Sequence, residues 1–339
     1  MSLIFKIYTK ENSMTGKVVL YACGGAGINI AQHFESFRGK AAEGGFAEVQ
    51  TVYVDTSRSN LPAKASPDAF YLVENLDGSG KVRAENHREI AESIHDILLN
   101  FKPGDLNIVM SSLSGGSGSV IAPSLVSELL QRDANVIVIG ISSVDSRIEI
   151  ENSIKTLKSY EAVSKMRDKP VVLVHYENSE TEPLSAVDTQ AREAIVRLAA
   201  LFSRQNRELD SADLRNLLQY NKVTDSKPKV VSMVFQSGSV VRGKAHVIAV
   251  ATLTTDEFSS SPGTPVGYRC TGYIRPDNAS NINLTAPMHY GIFDGLVLEH
   301  YSRLSSCLEK FDEATLASRR TTSSLLSGND KPTDNGLVL

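Results

Sequence analysis

The segment Ser111-Ser-Leu-Ser-Gly-Gly-Ser-Gly-Ser-Val-Ile-Ala-Pro123 carries more structural information than any other part of the chain. Apolar residues over 106–110 predict a buried strand before it, and an apolar period over 120–130 predicts a helix after it. Small residues between the two let backbone N–H groups approach an anion, and a helix N-terminus adds the positive end of its dipole. The segment is therefore either a phosphate-binding loop or an ordinary glycine–serine turn. No Lys-Ser/Thr pair closes it, which excludes a Walker A loop.

A second glycine-rich segment lies near the N-terminus. Residues 17–22 have the pattern of a strand, Gly24-Gly-Ala-Gly27 that of a loop, and 28–37 that of an amphipathic helix. As a dinucleotide-binding fingerprint the segment requires Gly or Ala where Ile30 stands, although Asp55, after the next predicted strand, has the position of a ribose-binding acid. Two glycine loops that each open a helix after a strand favour a nucleotide held from both sides, at the carboxyl ends of a parallel sheet.

Composition and charge exclude several classes of protein. The chain has 339 residues, of which 41% are hydrophobic and 22% charged, and its net charge of −4 favours neither a nucleic-acid surface nor an anionic membrane. No apolar run approaches the roughly 20 residues that span a bilayer, so no membrane insertion is expected. Three cysteines without paired spacing fit a cytoplasmic location. The seven histidines show no ligand spacing, so no metal site built from protein ligands alone is predicted.

The pattern of the whole chain predicts an α/β fold. Up to about residue 175 strand and helix patterns alternate, which is typical of a parallel sheet with helices on both faces. Besides those already named, strands are predicted over 49–54, 69–73, 106–111, 135–141 and 170–175, and helices over 85–100, 119–131 and 150–166. An apolar stripe over 183–204 predicts a core helix. A long helix is predicted from Tyr290, and strand patterns of a smaller mixed domain precede it over 230–235, 246–251 and 268–274.

These patterns divide the chain into five parts. They are an N-terminal domain over 1–182, the core helix and its exit over 183–209, a C-terminal α/β domain over 210–289, a long helix over 290–320 and a tail over 321–339. The tail is predicted to be mobile because it is polar and contains Gly and Pro.

Two carboxylates follow the predicted core helix. Asp210 and Asp213 stand three residues apart at the entry to another helix, so both face the same side. Helix capping explains such a pair, with Asp210 as the N-cap and Asp213 in the first turn. Taken alone, the two residues favour capping.

The order of these motifs resembles that of the tubulin/FtsZ superfamily. In that superfamily a glycine-rich signature follows the fourth strand, then come a core helix and a loop with two carboxylates. This chain has both glycine loops, together with Asp55-Thr-Ser57, Gly78-Ser-Gly80 and Asp210-x-x-Asp213, in the matching order over about residues 16–310. The resemblance implies a tubulin-like fold, with a Rossmann-like parallel-sheet GTPase domain, a long core helix, a smaller mixed α/β domain, a long C-terminal helix and a mobile tail.

The chain departs from the superfamily pattern at several positions. Ser114 and Val120 replace the outer glycines of the signature, and Val187 and Glu208 stand where the family usually carries Asn. The guanine-contacting Asn near the end of the sixth strand has two candidates, Tyr176 and Asn178. Such drift, with one long C-terminal helix, looks most like the phage- and plasmid-encoded branch, the PhuZ- and TubZ-like proteins.

The resemblance implies a GTP/GDP site with Mg²⁺, the ion being held mostly by phosphate oxygens and waters. Asn29 would lie near the base, Asp188 would meet the guanine edge, and the loop 78–80 would cover the γ-phosphate. In full, the implied nucleotide-binding residues are Gly24, Gly25, Ala26, Gly27, Asn29, Asp55, Thr56, Gly78, Ser79, Gly80, Ser114, Gly115, Gly116, Ser117, Gly118, Ser119 and Asp188.

The resemblance also implies that Asp210 and Asp213 act in the nucleotide pocket of the next subunit of a head-to-tail homopolymer. Such a contact does not close on itself and generates a filament, which in this branch would move or position phage or plasmid cargo in the cytoplasm of a bacterial cell. Two alternatives remain open at this point. One is an NAD-dependent oxidoreductase that uses Gly24–Gly27 and Asp55, and the other is a nucleotide-binding assembly protein without turnover.

Overall fold

The fold was analysed in a computed structural model, which describes residues 15–37, 44–63, 65–73, 76–83, 86–179, 181–238, 241, 245–255 and 265–321. The strands are β1 Lys17–Cys23, β2 Glu48–Asp55, β3 Phe70–Leu72, β4 Leu106–Ser112, β5 Val136–Ser143, β6 Val171–Asn178, β7 Val230–Ser237, β8 Val247–Thr254, β9 Tyr268–Tyr273 and β10 Met288–Phe293. The helices are α1 Gly24–Ala31, α2 His87–Asn100, α3 Ser117–Gln131, α4 Arg147–Arg167, α5 Leu184–Leu201, α6 Ser211–Leu218, α7 Pro276–Asn281 and α8 Leu296–Thr321.

The described strands form one sheet in the order β3-β2-β1-β4-β5-β6-β7-β10-β8-β9. From β3 to β7 all pairs are parallel, whereas β10 lies antiparallel between β7 and β8. Helices α1 and α5 cover one face of the parallel part, and α2, α3, α4 and α8 cover the other. Strands with helices on both faces are buried on both faces, which is why β1 and β4 have nearly continuous apolar sequences. The expected α/β fold, with helices on both faces of a parallel sheet, is confirmed.

The glycine segment Gly24–Gly27 is the first turn of α1 and not a loop. The prediction that the helix begins at Ile28 was therefore wrong by four residues, and residues 32–37, predicted to continue it, form a 3₁₀ helix. Close packing explains the early start. A Cβ on Gly27 would lie 2.6 Å from the carbonyl oxygen of Met110, so only glycine lets the helix turn directly off β1 and over β4.

The prediction that the long C-terminal helix begins at Tyr290 was also wrong. Tyr290 lies in β10, where its side chain and that of Ile292 are buried, and α8 begins only at Leu296. The run Tyr290–Phe293 is apolar at every position except Gly291, so it fits the periods of both a helix and a strand. Gly295, at φ +90°, separates the two elements.

The predicted mobile tail lies outside the described residues except for Thr321, the last residue of α8. Within the described part of the chain, none of the helices combines the length and the apolar character needed to cross a bilayer.

Candidate functional site

A cavity of about 720 Å³ opens at the carboxyl ends of β1, β2, β4, β5 and β6. Its volume lies within the range of roughly 300–1,000 Å³ that is usual for small-molecule sites. The sequence-predicted residues that line it are Gly24, Gly25, Ala26, Asp55, Gly78, Ser79, Gly80, Ser114, Gly115, Gly116, Ser117 and Gly118. The fold therefore brings both glycine-rich segments, the end of β2 and the 78–80 loop around one space. Gly27, Thr56 and Ser119 do not line it.

The N-termini of α1 and α3 both open onto this cavity. Neither helix has a side-chain cap. Cys23 is the N-cap of α1, and its side chain accepts no hydrogen bond from the first turn; Gly116 is the N-cap of α3 and has no side chain to accept one. A Cβ on Gly118 would lie 2.5 Å from the carbonyl oxygen of Cys23, so glycine is required for the two helix starts to lie side by side. Uncapped first-turn N–H groups and two helix dipoles therefore point at the same space, the arrangement that binds phosphate.

The serine hydroxyls of the signature hold the loop itself. Ser114 Oγ accepts from the backbone N–H of Ser143 at 2.7 Å, and Ser119 Oγ donates to the carbonyl of Gly115 at 2.6 Å. Ser117 Oγ shares a 2.6 Å hydrogen bond with Thr56. Each of these hydroxyls thus has a partner within the protein, and their contact with phosphate stays a prediction. The backbone N–H groups of the two helix starts are further donors for an anion.

The end of β2 carries a buried carboxylate. Asp55 accepts hydrogen bonds from Asn60 Nδ2 at 2.6 Å and from the backbone N–H of Thr56 at 2.7 Å. Burial raises the pKa of Asp55 above its usual value, and these hydrogen bonds act in the opposite direction. The carboxylate thus fixes the turn after β2 beneath the cavity, which places Asn60 on the cavity wall.

The segment 78–81 forms a rim of the cavity. Gly78, Gly80 and Lys81 have positive φ angles of 80°, 52° and 66°, and Asn86 Nδ2 donates to the carbonyl of Gly78 at 2.7 Å. Lys81 Nζ lies 2.7 Å from Glu149 Oε1 at the start of α4. Burial raises the pKa of Glu149, but hydrogen bonds from Lys81 and from neighbouring serines outweigh it, so the net shift is downward.

Arg83 fastens this rim to the helices behind the cavity, a role that no sequence motif indicated. Its guanidinium donates to the carbonyl of Ser119 at 2.8 Å and to Ser159 Oγ at 3.1 Å, and it also contacts Thr156 Oγ1. One planar, five-donor group thereby joins the rim to α3 and α4.

Replacing Arg83 by Ala is expected to lower the free energy of unfolding by roughly 2 kcal/mol, because it leaves a buried carbonyl and two hydroxyls without their donor. Urea unfolding followed by circular dichroism measures the change. Arg88→Ala is the matched control, since Arg88 is exposed and forms a surface ion pair with Glu92 one turn along α2. Equal midpoints for the two variants would contradict the bridging role of Arg83.

The end of β6 separates the two candidates for the base-contacting residue. Asn178 lines the cavity, and its Oδ1 is buried with no hydrogen-bond partner among the described residues. Tyr176 lies two residues deeper in the strand, packed against the core cluster that includes α5. A buried amide oxygen without a hydrogen-bond donor destabilises the fold. A ligand at this end of the cavity could supply the donor for Asn178 Oδ1.

Besides Gly27, Thr56 and Ser119, two more sequence-predicted residues lie outside the cavity lining. Asn29 is exposed on α1, where its Oδ1 accepts from Gln32 at 3.2 Å. Asp188 is half-buried on α5, one turn after Leu184, which does line the cavity. Both stand on helices that border the site, but neither side chain contributes to the wall described here.

Asp210 and Asp213 form a capping box. Asp210 Oδ1 accepts from the backbone N–H groups of Ala212 and Asp213 at 2.7 and 2.9 Å, and Asp213 Oδ2 accepts from the N–H of Asp210 at 3.1 Å. Tyr268 donates its hydroxyl to Asp213 Oδ1 at 2.9 Å. Helix capping is therefore confirmed for this pair within the subunit. Neither residue lines the cavity.

The pair lies near the amino ends of the parallel strands, whereas the cavity lies at their carboxyl ends. Helix α5 starts beside the cavity at Leu184 and continues for 18 residues, about 27 Å at 1.5 Å per residue. Beyond its end, α6 packs beside Gly104 and Asp105, which precede β4, whereas Ser112 at the other end of β4 lines the cavity.

Comparison with known proteins fixes the family. The model of the tubulin/FtsZ family GTPase domain matches residues 17–183. A phage tubulin-like protein of Pseudomonas phage phiKZ is 31% identical over 336 residues, which cover 95% of this chain and 98% of that protein. The chain belongs to the tubulin/FtsZ family. Its resemblance to the phage branch of this family is likewise confirmed.

A second relative and a solved structure agree with this chain over nearly its full length. A phage tubulin-like protein of Pseudomonas phage PhiPA3 is 26% identical, over 95% of this chain and 99% of that protein. The solved structure described as a protofilament of TubZ from bacteriophage PhiKZ has a TM-score of 0.78 and 32% identity, over 95% of this chain and 99% of that one. Two separate findings speak against the NAD-dependent oxidoreductase. The chain matches the model of a GTPase domain, and Ile30 breaks the dinucleotide-binding fingerprint.

Several residues of this tubulin-like site had no signal in the sequence. Asn60, Asp77, Ser143, Asp145 and Glu149 line the cavity, but none of them belongs to a motif in the sequence, and Glu149 stands in the first turn of α4. Asn152 on α4 donates to the carbonyls of Lys81 and Ser114, at 2.9 and 3.1 Å, and so ties two cavity loops together. In the sequence, such a role is indicated only by a polar residue that stands among the apolar positions of a predicted helix.

Proposed function

We propose that this chain binds GTP in the cavity, polymerises head to tail, and hydrolyses GTP where the Asp210–Asp213 pair of one subunit meets the cavity of the next. One observation carries the proposal. Two uncapped helix N-termini converge on a glycine-lined cavity at the carboxyl ends of the parallel strands. The carboxylate pair lies on the opposite side, near the amino ends of these strands. Each subunit thus has both halves of a phosphoryl-transfer site, but the two halves can meet only between subunits.

Phosphate binding falls to the backbone. The first turns of α1 and α3, Gly24–Gly27 and Ser117–Ser119, would supply N–H donors to the phosphates, and the rim at 78–80 would cover the γ-phosphate. Asn178 would contact the guanine, whose edge pairs a carbonyl acceptor with N–H donors that suit an amide. Asn29 and Asp188, on the helices that border this end, would reach the base only after the side chains turn toward it.

The cavity also suits a magnesium nucleotide. Asp77 and Asp145 add carboxylates to its wall, beside the loops that would hold the phosphates. Mg²⁺ prefers oxygen ligands and commonly keeps several waters beside substrate phosphates, so a dedicated cage of protein ligands is not needed. When bound, the ion would neutralise the charge that develops on the phosphates.

Catalysis would use the carboxylates to orient the attacking water. Asp213 is held by Tyr268 and by the N–H of Asp210, so its position is fixed before any partner arrives. Asp210 is exposed, and each carboxylate oxygen retains lone pairs that can accept from a water in line with the γ-phosphate of the adjacent subunit. Positioning of this kind contributes strongly to phosphoryl transfer because little covalent chemistry is left to the protein.

Assembly follows from the separation of the two surfaces. A contact that joins the cavity edge of one subunit to the carboxylate edge of the next is heterologous and repeats without closing. The resulting filament would position or move phage cargo in a bacterial cell, in keeping with relatives that are described as phage tubulin-like.

The dependence of turnover on protein concentration tests this function. GTP hydrolysis per subunit is expected to be negligible below a threshold concentration and to rise together with light scattering above it, since the site is complete only in the polymer. Competition with a fluorescent GTP analogue is expected to show displacement by GTP and GDP and none by NAD. Constant turnover per subunit across the threshold would contradict interface catalysis, and polymer without any turnover would favour the assembly protein that only binds nucleotide.

A further inference from the structure

A cluster of polar side chains lies on the face of the sheet opposite Asn178, where β5 and β6 end against α8. Its members are Ser142, His175, Glu177, His300 and Arg303. Ser142 and Glu177 are direct partners in the β5–β6 register, and His175 lies two residues before Glu177 on the same face. His300 comes from α8, 123 residues beyond Glu177, which is why no ligand spacing appears in the sequence.

The donor atoms of this cluster converge. One atom each from His175, Glu177 and His300 lies within 4.8 Å of the others, the single such group of three among the described residues. Ser142 Oγ links them, at 2.9 Å from His175 Nε2, 3.1 Å from Glu177 Oε2 and 3.5 Å from His300 Nε2. Four donors bound to a zinc ion at about 2.1 Å would be about 3.4 Å apart, so small side-chain rotations suffice.

Both imidazoles are half-buried. Burial lowers the pKa of His175 well below its usual value, and it lowers that of His300 to about 4, against an opposing effect of Glu177. A cavity of about 160 Å³ adjoins both rings and offers room for a metal-bound water.

We propose that His175, Glu177 and His300 form a site for a divalent transition metal of the zinc class, with Ser142 or a water as the fourth ligand. Two imidazoles and one carboxylate are a ligand set that zinc accepts in proteins. The ion would join α8 to the ends of β5 and β6, directly behind the wall that carries Ser143 and Asn178. The site is separate from the nucleotide cavity, so its failure would leave the proposed GTPase function untouched.

Arg303 gives the proposal its sharpest test. Its guanidinium contacts Glu177 Oε2 and lies 3.2 Å from His300 Nδ1, so this cation occupies the charge position that a metal would take. A zinc ion must displace the arginine to bind. Replacing Arg303 by Ala therefore removes a competitor of the metal and should tighten zinc binding. If the ion pair has only a structural role, its loss would not tighten zinc binding.

The experiment uses the full chain, freed of metal with a chelator and titrated with zinc chloride against a chromophoric competitor. The natural chain is expected to bind one zinc, His300→Ala to bind it roughly tenfold or more weakly, and Arg303→Ala to bind it more tightly. His87→Ala, a histidine exposed on α2, is the control and should bind as the natural chain does. Zinc should also slow hydrogen exchange in α8.

Absence of zinc binding in both the natural chain and Arg303→Ala would overturn the proposal. Zinc binding that His300→Ala leaves unchanged would overturn it as well, because the ion would then be bound elsewhere. Weaker zinc binding by Arg303→Ala would overturn it too, because an ion that has to displace the arginine cannot bind less well once the arginine is gone.

Discussion

Asp213→Asn subunits are expected to bind GTP and to polymerise, but to hydrolyse GTP roughly 10²–10⁴-fold more slowly than the natural chain. The substitution keeps the shape of the side chain and one oxygen for Tyr268, so the change falls on the carboxylate. On the proposed function, hydrolysis at the contact between subunits would weaken that contact, so filaments of this variant should persist. Phosphate release measured alongside sedimentation of polymer separates the two effects.

Helix capping predicts another outcome for the same variant. Loss of a cap interaction costs about 0.5–2 kcal/mol of stability and leaves turnover per folded subunit unchanged. Asp210→Ser sharpens the comparison, since serine is a good N-cap but carries no charge. It should retain stability and still lose turnover. Asp225→Asn, an exposed carboxylate in the segment after α6, is the control and should match the natural chain in both. Normal turnover in Asp213→Asn filaments would exclude a catalytic role for this residue.

Gly116→Val is expected to weaken GTP binding roughly 100-fold, which is the loss of about two charge-assisted hydrogen bonds. A Cβ at this position would lie 1.9 Å from Ser79 Oγ and 3.0 Å from the Cα of Lys81, so the rim at 78–81 has to move away. The N-terminus of α3, which would bind phosphate through its backbone, would also carry a side chain. Fluorescence anisotropy of a labelled GTP analogue measures the change.

The fold should survive this substitution because the obstructing atoms belong to a surface loop. Circular dichroism and the midpoint of urea unfolding are expected to stay close to those of the natural chain. Gly118→Ala differs, since its Cβ would lie 2.5 Å from the backbone oxygen of Cys23 and should lower stability as well. Gln131→Ala, at the exposed far end of α3, serves as the control for binding. Unchanged GTP affinity in Gly116→Val would place the phosphate site elsewhere.

The sequence located the cavity well because its signals are local. A strand followed by glycines and a helix puts the helix N-terminus at the carboxyl edge of a parallel sheet, and both Gly24–Gly27 and Ser114–Ser119 are found there. What the serines do could not be predicted, because their partners come from distant segments: Ser143 for Ser114 and Thr56 for Ser117. The same holds for Arg83, whose three contacts lie 36 to 76 residues away.

Other predictions failed or stayed open because neighbouring patterns were ambiguous. The run Tyr290–Phe293 is almost wholly apolar, so periodicity could not separate β10 from the start of α8. Tyr176 and Asn178 share a face of β6, and only the point at which the strand meets the cavity distinguishes them. For Asp210 and Asp213 the local pattern predicted the capping box correctly, but a local pattern carries no information about a surface on another subunit.

If each active site is shared by two subunits, a mixture of two inactive variants should regain activity. Gly116→Val subunits lack a working nucleotide cavity but keep Asp210 and Asp213. Asp213→Asn subunits bind GTP but lack the catalytic carboxylate. In an equal mixture roughly a quarter of head-to-tail contacts join a GTP-loaded cavity to an intact carboxylate pair, as expected for random order in a heterologous stack. GTP hydrolysis, nearly absent from each variant alone, is expected to return in the mixture, and a mixture that stays as inactive as its components would rule out an active site shared between subunits.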